Sequence, residues 1–141
     1  MKNAQQFSHE MILSENLENG LFIDATAGNG HDTLFLAQHI DSSSKILSFD
    51  IQETAILQTR QLLQKYDLAP KVTCILDSHA NISNYLEQDE RVRLAIFNLG
   101  YLPGSDKKII TIPSSTQGAI QILLERLEKN GKIIIVSYPV A

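Results

Sequence analysis

Short apolar runs and amphipathic segments alternate along the chain. The runs are rich in Ile, Leu, Val and Phe, whereas the segments between them repeat apolar residues every three to four positions. Continuous apolar runs are typical of buried strands, and the longer repeat is typical of helices packed on a sheet. Strands are predicted at 21–25, 45–50, 71–76, 93–100 and 132–138, and helices at 4–19, 31–40, 53–67 and 115–129, with a weakly helical stretch at 82–88.

Strands that alternate with helices indicate one α/β domain, with a doubly wound, mainly parallel sheet covered by helices on both faces. We expect Gly20 to cap the C-terminus of the first helix, Ser114 or Ser115 to be the N-cap of the last one, and Asn130–Gly131 to stop it. The segment from Leu99 to Pro113 is predicted to be a long loop, which favours a functional role. The domain divides into the helix at 4–19, a half at 21–80 and a half at 93–141.

Composition is ordinary for a globular protein, with 43% apolar residues, 20% charged residues and a net charge of −4. The mild acidity argues against a strongly basic nucleic-acid clamp, so an RNA-binding surface would have to be local. A single cysteine, Cys74, excludes an internal disulfide and a Cys-rich metal site. With no signal-peptide core and no run of ~20 apolar residues, we expect a cytoplasmic protein without a metal or a membrane span. His9 and His39 are expected to face solvent.

The stretch "ATAGNG" follows the first predicted strand, where doubly wound sheets bind their ligands. Gly28 and Gly30 would allow a ligand to approach the backbone closely. A P-loop would continue with Gly-Lys-Ser/Thr, which is absent, and Thr33 stands where the dinucleotide fingerprint needs a third small residue. Because Asp24 and Asp32 would repel a pyrophosphate, the loop favours a cationic ligand.

A second marker, Asp50, ends the second predicted strand about 20 residues beyond the loop. A carboxylate at that point can accept hydrogen bonds from both hydroxyls of a ribose. NAD and S-adenosylmethionine (SAM) both carry this ribose, so Asp50 alone leaves the two open. Asp77, Ser78 and His79 follow the third strand, where an adenine edge would lie.

The third marker is "FNLGYLPG" at the end of the fourth strand. It resembles the Asn-Pro-Pro-Tyr motif of amino-methyltransferases, in which the Asn side chain and the next carbonyl accept hydrogen bonds from the target nitrogen and the aromatic ring stacks on a base. Asn98, Leu99 and Tyr101 would fill those places. With the acidic loop and the ribose carboxylate, the chain resembles a Rossmann-like class I SAM-dependent methyltransferase.

The resemblance extends to one family. The stretches "IDATAGNGHDTLFLA", "SFDIQ", "SHANI" and "AIFNLGYLPGSDK" look like the small bacterial family of putative rRNA methylases. Characterised members of that family methylate the aminomethyl group on the wobble uridine of tRNA. Family members continue past the fifth strand with further strands, which this sequence lacks. Strand five would then be an unpaired edge strand, which costs stability and invites association, and a homodimer is one such association.

The resemblance implies SAM as the cofactor and tRNA as the substrate, with rRNA or a catalytically inactive SAM-binding module as alternatives and a nicotinamide dehydrogenase as a weaker one. Asp106 is a candidate proton acceptor, and Lys107 or Lys108 could contact an RNA phosphate. The expected catalytic residues are Asn98, Tyr101 and Asp106. The expected cofactor contacts are Asp24, Ala25, Thr26, Gly28, Asn29, Gly30, Asp32, Thr33, Asp50, Ile51, Gln52, Ser78, His79, Asn98 and Leu99.

Overall fold

A computed structural model describes residues 1–102 and 112–139. Within them, strands and helices alternate as predicted. The strands are β1 (Leu21–Asp24), β2 (Lys45–Asp50), β3 (Val72–Leu76), β4 (Val92–Leu102) and β5 (Leu127–Pro139). The helices are α1 (Ala4–Leu13), α2 (His31–His39), α3 (Glu53–Lys65) and α4 (Ser114–Arg126), with 3-10 turns η1 (Ala69–Lys71) and η2 (His79–Tyr85).

All five strands are parallel and lie in the order β3-β2-β1-β4-β5. In the central strand, Ile23 pairs with Leu47 on one side and with Ala95 on the other. The order of strands therefore reverses between β1 and β4, and a crevice at the carboxyl ends of such strands is where doubly wound sheets bind ligands. The predicted fold class is confirmed.

Helices cover both faces of the sheet, and neighbouring residues of β1 point to opposite layers. Phe22 packs in the layer that contains Ile12 of α1, Leu36 of α2 and Leu63 of α3. The next residue, Ile23, packs in the layer that contains α4 and η2. Its other buried members are Leu21, Ala25, Leu47, Phe49, Ile75, Ile82, Val92, Ala95, Phe97, Ala119 and Leu123.

The first helix is shorter than predicted. It ends at Leu13 because the Ser14 hydroxyl donates to the carbonyl of Met11 and the chain then turns away. The helix buries Ser8 and Ile12, whereas Phe7 and Met11 are each 54% exposed. A hydrophobic pattern locates a helix but does not determine which of its sides faces the sheet.

The last helix begins within a residue of its predicted start, but its predicted N-cap and its predicted end are wrong. The residue at the N-cap position of α4 is Pro113, and the helix gives way to β5 at Leu127, which pairs with Val92. Asn130, with a φ of 67°, lies in the irregular start of β5, before continuous pairing begins at Lys132. Strand pairing with β4 therefore replaces the last predicted turn of the helix.

The strand β4 also runs further than predicted, to Leu102, so Tyr101 and Leu102 of the expected loop pair with Tyr138 and Pro139 of β5. Within the described ranges, β5 pairs with β4 alone and forms an edge of the sheet. No helix in residues 1–102 or 112–139 has the length and apolar character needed to cross a bilayer.

Candidate functional site

The glycine loop, residues 25–30, joins β1 to α2 and adopts a backbone that requires glycine. Gly28 and Gly30 have φ angles of 55° and 91°, in the left-handed region that favours glycine. A Cβ on Gly30 would lie 3.0 Å from the Cα and from Oγ1 of Thr59, so the loop packs directly on α3. A Cβ on Gly28 would meet only the Thr26 carbonyl, at 3.8 Å, which leaves space on the outer side of the loop.

Asp24 shapes this loop from beneath, since it is 0% exposed. Its carboxylate accepts hydrogen bonds from the Thr26 N–H at 3.1 Å and from the Thr33 hydroxyl at 2.6 Å. Thr33 in turn lies 2.7 Å from the hydroxyl of Ser48 on β2. The pKa of Asp24 is raised to about 7, above all by burial and in smaller part by the carboxylates of Asp32 and Asp50, while the two hydrogen bonds act in the opposite direction.

Asp50 closes the other side of the loop. Its Oδ2 accepts from the Gly28 N–H at 2.9 Å and its Oδ1 from the Gln52 N–H at 2.9 Å. A carboxylate offers about four lone-pair positions, so each oxygen can accept one more hydrogen bond. The next side chain, Ile51, is 72% exposed and presents an apolar surface beside the carboxylate. Asp50 is thus already oriented and retains the capacity to bind two ribose hydroxyls.

Asp32, in the first turn of α2, is buried and bound to α1. Its Oδ1 lies 2.8 Å from Nε2 of His9, whose ring stacks on Phe35 with 3.8 Å between ring centroids. The prediction that His9 faces solvent is therefore wrong. The sequence analysis missed the contact with Asp32 because a pair of residues so far apart in the chain leaves no local pattern. His39 is exposed, as predicted.

The acceptor side of the site lies at the end of β4. The Asn98 N–H donates to the Thr26 hydroxyl at 2.7 Å, and the Asn98 side-chain oxygen accepts from the Gly100 N–H at 3.2 Å. Pairing with β5 is irregular between Asn98 and Tyr101, and Gly100 has a φ of 65°. Such bulges often re-aim a side chain beside an active site. The Asn98 side chain is exposed here, whereas Leu99 packs against the core.

Several predicted residues fall where less can be stated. Tyr101 belongs to β4 and pairs with Tyr138. The side chain of Tyr101, and Asp106, Lys107 and Lys108 entirely, lie outside the described residues.

The segment after β3 contains a polar network that the sequence analysis only partly anticipated. Asp77 accepts hydrogen bonds from the Tyr85 hydroxyl at 2.6 Å and from the Asn81 side chain at 2.8 Å. These bonds, that of Tyr85 above all, lower the pKa of Asp77. The hydroxyl of the predicted cofactor contact Ser78 accepts from the Ala80 N–H and begins η2.

His79 uses both ring nitrogens within the protein. Nδ1 lies 2.8 Å from the Ala25 carbonyl and Nε2 lies 2.9 Å from the Thr116 hydroxyl. The ring also meets Phe97 edge to face, with 5.3 Å between centroids. These contacts favour a link between elements over the predicted contact to an adenine. Neither Thr116 nor Phe97 carries a sequence signal for this role, because the partners come together only in the tertiary structure.

The predicted residues at the ends of β1, β2 and β4 thus lie together at the carboxyl ends of the strands. This region combines a glycine loop open to a ligand, an oriented carboxylate and an exposed amide. Asp24, Asp32 and Asp50 make the surroundings acidic, which suits a cationic ligand that carries a ribose. Among the residues the structure describes, no group of three or more His, Cys, Asp or Glu side chains could hold a metal ion.

The chain was compared with known proteins. Residues 46–140 match the family model described as "Putative rRNA methylase". The chloroplastic tRNA (mnm(5)s(2)U34)-methyltransferase of Arabidopsis thaliana is 32% identical over 146 residues, covering 97% of this chain and 53% of that protein. The chain therefore spans about half the length of this curated relative.

Solved structures agree with this relation. A putative rRNA methylase from Clostridium thermocellum superposes with a TM-score of 0.81 and 38% identity, covering 94% of this chain and 70% of that one. A putative methyltransferase from Streptococcus mutans, solved in complex with SAH (S-adenosylhomocysteine), gives 0.79 and 42%, covering 96% and 72%. The match of the family model and these similarities lead to one conclusion: the chain belongs to the family of putative rRNA methylases.

Proposed function

We propose that this chain binds SAM at the glycine loop and transfers its methyl group to a nitrogen of RNA. Family membership and the SAH bound to the Streptococcus mutans relative support SAM as the cofactor. The observation that carries the proposal is the position of Asp50 and Asn98 on opposite sides of one loop. Asp50 holds the Gly28 N–H and Asn98 holds the Thr26 hydroxyl, so a carboxylate suited to a ribose and an exposed amide share one frame.

The residues present fit this cofactor. The two free acceptor positions of Asp50 match the two ribose hydroxyls, and the exposed Ile51 offers an apolar face for a base. The space outside Gly28 leaves the backbone accessible. SAM, when bound, would supply a methyl group on a sulfonium; an amine lone pair can take this methyl without further activation, because the carbon–sulfur bond breaks and neutral S-adenosylhomocysteine leaves.

In this reaction the protein has to align the amine rather than activate the methyl group, and alignment can supply roughly 7–11 kcal/mol. The Asn98 side-chain oxygen accepts one hydrogen bond from Gly100 and has a second lone pair for an amine N–H. The Leu99 carbonyl would accept the other amine proton, and Tyr101 would stack on the base. Asp106 would receive the proton released on transfer, and Lys107 or Lys108 would contact a phosphate.

For the substrate, we propose the aminomethyl group of the tRNA wobble uridine. Its support is the Arabidopsis thaliana relative, a tRNA (mnm(5)s(2)U34)-methyltransferase that is 32% identical. Methylation of rRNA is the alternative, and the description of the matching family favours it. A SAM-binding module without catalysis is the third candidate, since the chain spans 53% of that relative.

The first experiment is a calorimetric titration of the chain with SAM and, separately, with NAD. Asp50→Asn is the test variant, and Asp67→Asn, on the exposed surface after α3, is the matched control. We expect SAM but not NAD to bind. Asp50→Asn should raise the SAM dissociation constant about ten-fold or more, because a charge-assisted pair of hydrogen bonds is lost. Equal SAM affinity of both variants would contradict the ribose assignment, and binding of NAD alone would contradict the proposal.

The second experiment measures methyl transfer from labelled SAM to undermodified tRNA and, in parallel, to undermodified rRNA. Asn98→Ala should lower kcat while the SAM dissociation constant changes less than about three-fold, because its side chain is assigned to the acceptor. Transfer to rRNA alone would replace the tRNA assignment. Binding of SAM without transfer to either RNA would favour the non-catalytic module.

A further inference from the structure

His79 stands between the two halves of the proposed site and contacts both. It begins η2, which follows β3, and reaches the Ala25 carbonyl of the glycine loop and the Thr116 hydroxyl in the first turn of α4. Thr116 is 2% exposed, so its hydroxyl faces the interior of the protein rather than solvent.

The chemistry of the partners determines the state of the ring. A carbonyl oxygen can only accept, so Nδ1 carries the proton that binds Ala25. In the neutral ring Nε2 is then an acceptor, and the Thr116 hydroxyl donates to it. In the neutral ring each contact thus has a defined direction, with Nδ1 donating to Ala25 and Nε2 accepting from Thr116.

The glycine loop also positions the acceptor side, through Ala25 and its neighbour Thr26. Thr26, next to Ala25, accepts the backbone N–H of Asn98, and His79 packs edge to face on Phe97, the residue before Asn98. The end of β4 and the first turn of α4 are therefore both fastened to residues 25 and 26.

We propose that His79 is a positioning residue that transmits the conformation of the glycine loop to α4 and to the end of β4, so that cofactor binding aligns the acceptor side. The proposal rests on the proposed function, since it assigns SAM to the loop. A misplacement of about 1 Å can reduce a rate by roughly 100-fold, so this link matters for turnover more than for cofactor affinity.

The test uses SAH as the probe and compares Thr116→Val, which removes the hydroxyl, with Thr116→Ser, which retains it. His39→Asn is the control, because that exposed ring meets Phe35 of its own helix, at the carbonyl and at the ring. Amide hydrogen exchange is measured with and without saturating SAH for residues 24–33 and 114–119. A ¹⁵N spectrum of the histidine rings reports the tautomer of His79 in the same samples.

In the parent chain, Thr116→Ser and His39→Asn, SAH should slow exchange in both segments. In Thr116→Val it should still protect residues 24–33, with a dissociation constant within about three-fold, but no longer protect 114–119. Methyl transfer by Thr116→Val should fall ten-fold or more in kcat, with the KM for SAM nearly unchanged.

Undiminished protection of 114–119 in Thr116→Val would overturn the inference. A fall in Tm and in SAH affinity together, with the kcat of the bound state unchanged, would assign Thr116 to stability alone and also overturn it. A parent chain that SAH protects in neither segment would instead contradict the proposed function, and with it the inference that rests on it. Parent protection of 24–33 alone would refute only the link.

Discussion

Asp24 should make the stability of this protein fall as the pH rises towards neutrality, and Asp24→Asn should remove that dependence. The carboxyl is completely buried, and burial raises its pKa from 3.8 to about 7. The neutral acid fits its surroundings, because a protonated oxygen can donate to Thr33, which can then donate to Ser48. An asparagine amide offers the same pattern without a charge.

The direction follows from proton linkage. The folded protein binds the Asp24 proton more tightly than the unfolded chain, so the contribution to stability is fully present below about pH 4 and is lost as the pH rises through about 7. At ~1.4 kcal/mol for each tenfold change in proton affinity, the difference between 3.8 and about 7 corresponds to about 4 kcal/mol. The free energy of unfolding of Asp24→Asn, relative to the parent, should increase by up to that amount from pH 4 to pH 8.

The assay is urea unfolding of parent and variant at half-unit pH intervals. Asp41→Asn is the control, since hydrogen bonds from the Asn19 N–H and the Ser44 hydroxyl lower the pKa of Asp41 to about 2. Its contribution is present above about pH 4 and is lost as the pH falls towards 2, so the difference in unfolding free energy between this variant and the parent should stay constant from pH 4 to 8 and change only in acid. If the Asp24→Asn and parent profiles run parallel between pH 4 and 8, Asp24 ionises normally and the reasoning is wrong.

Cofactor binding should also be linked to the ionisation of Asp24. A cation held at the glycine loop favours the ionised form of Asp24, so SAM binding below about pH 7 should release a proton. Calorimetric titrations at pH 6.5 in two buffers of different ionisation enthalpy measure that release. Asp24→Asn should abolish it, and an equal proton release in the variant would assign the proton to another group.

Two further substitutions, Gly30→Ala and Leu36→Ala, each with a control, test the packing of the site and of the core by chemical unfolding. Gly30→Ala should destabilise the protein by about 1–3 kcal/mol and weaken SAM binding, because the φ of Gly30 is +91° and the new Cβ meets Thr59 at 3.0 Å. Gly118→Ala, whose Cβ meets nothing within 4 Å, should instead add about 0.5–1 kcal/mol, and the same sign in both would contradict the argument. Leu36→Ala, at a fully buried position, should cost about 2–5 kcal/mol, and equal losses in Leu36→Ala and in the 47% exposed Leu57→Ala would contradict the assigned core.

The sequence alone determined the class of the fold, the order of its elements and the end of the sheet at which the candidate site lies. This was possible because strands buried on both faces read as continuous apolar runs, and because a glycine loop after the first strand of a doubly wound sheet has a defined location. The residues Asp24, Asp50 and Asn98 were recognisable since their positions relative to the strand ends are local properties of the chain.

The tertiary structure alone decided which of these residues keep free hydrogen-bond acceptor positions and which hold the loop. Asp24 and Asp50 both end strands and look alike in the sequence, yet burial beneath Thr26 and Thr33 makes one a support, while the other retains free acceptor positions. The contacts of His9 with Asp32 and of His79 with Thr116 join residues far apart in the chain. Such pairs depend on how helices are rotated and packed on the sheet, and no local pattern encodes that.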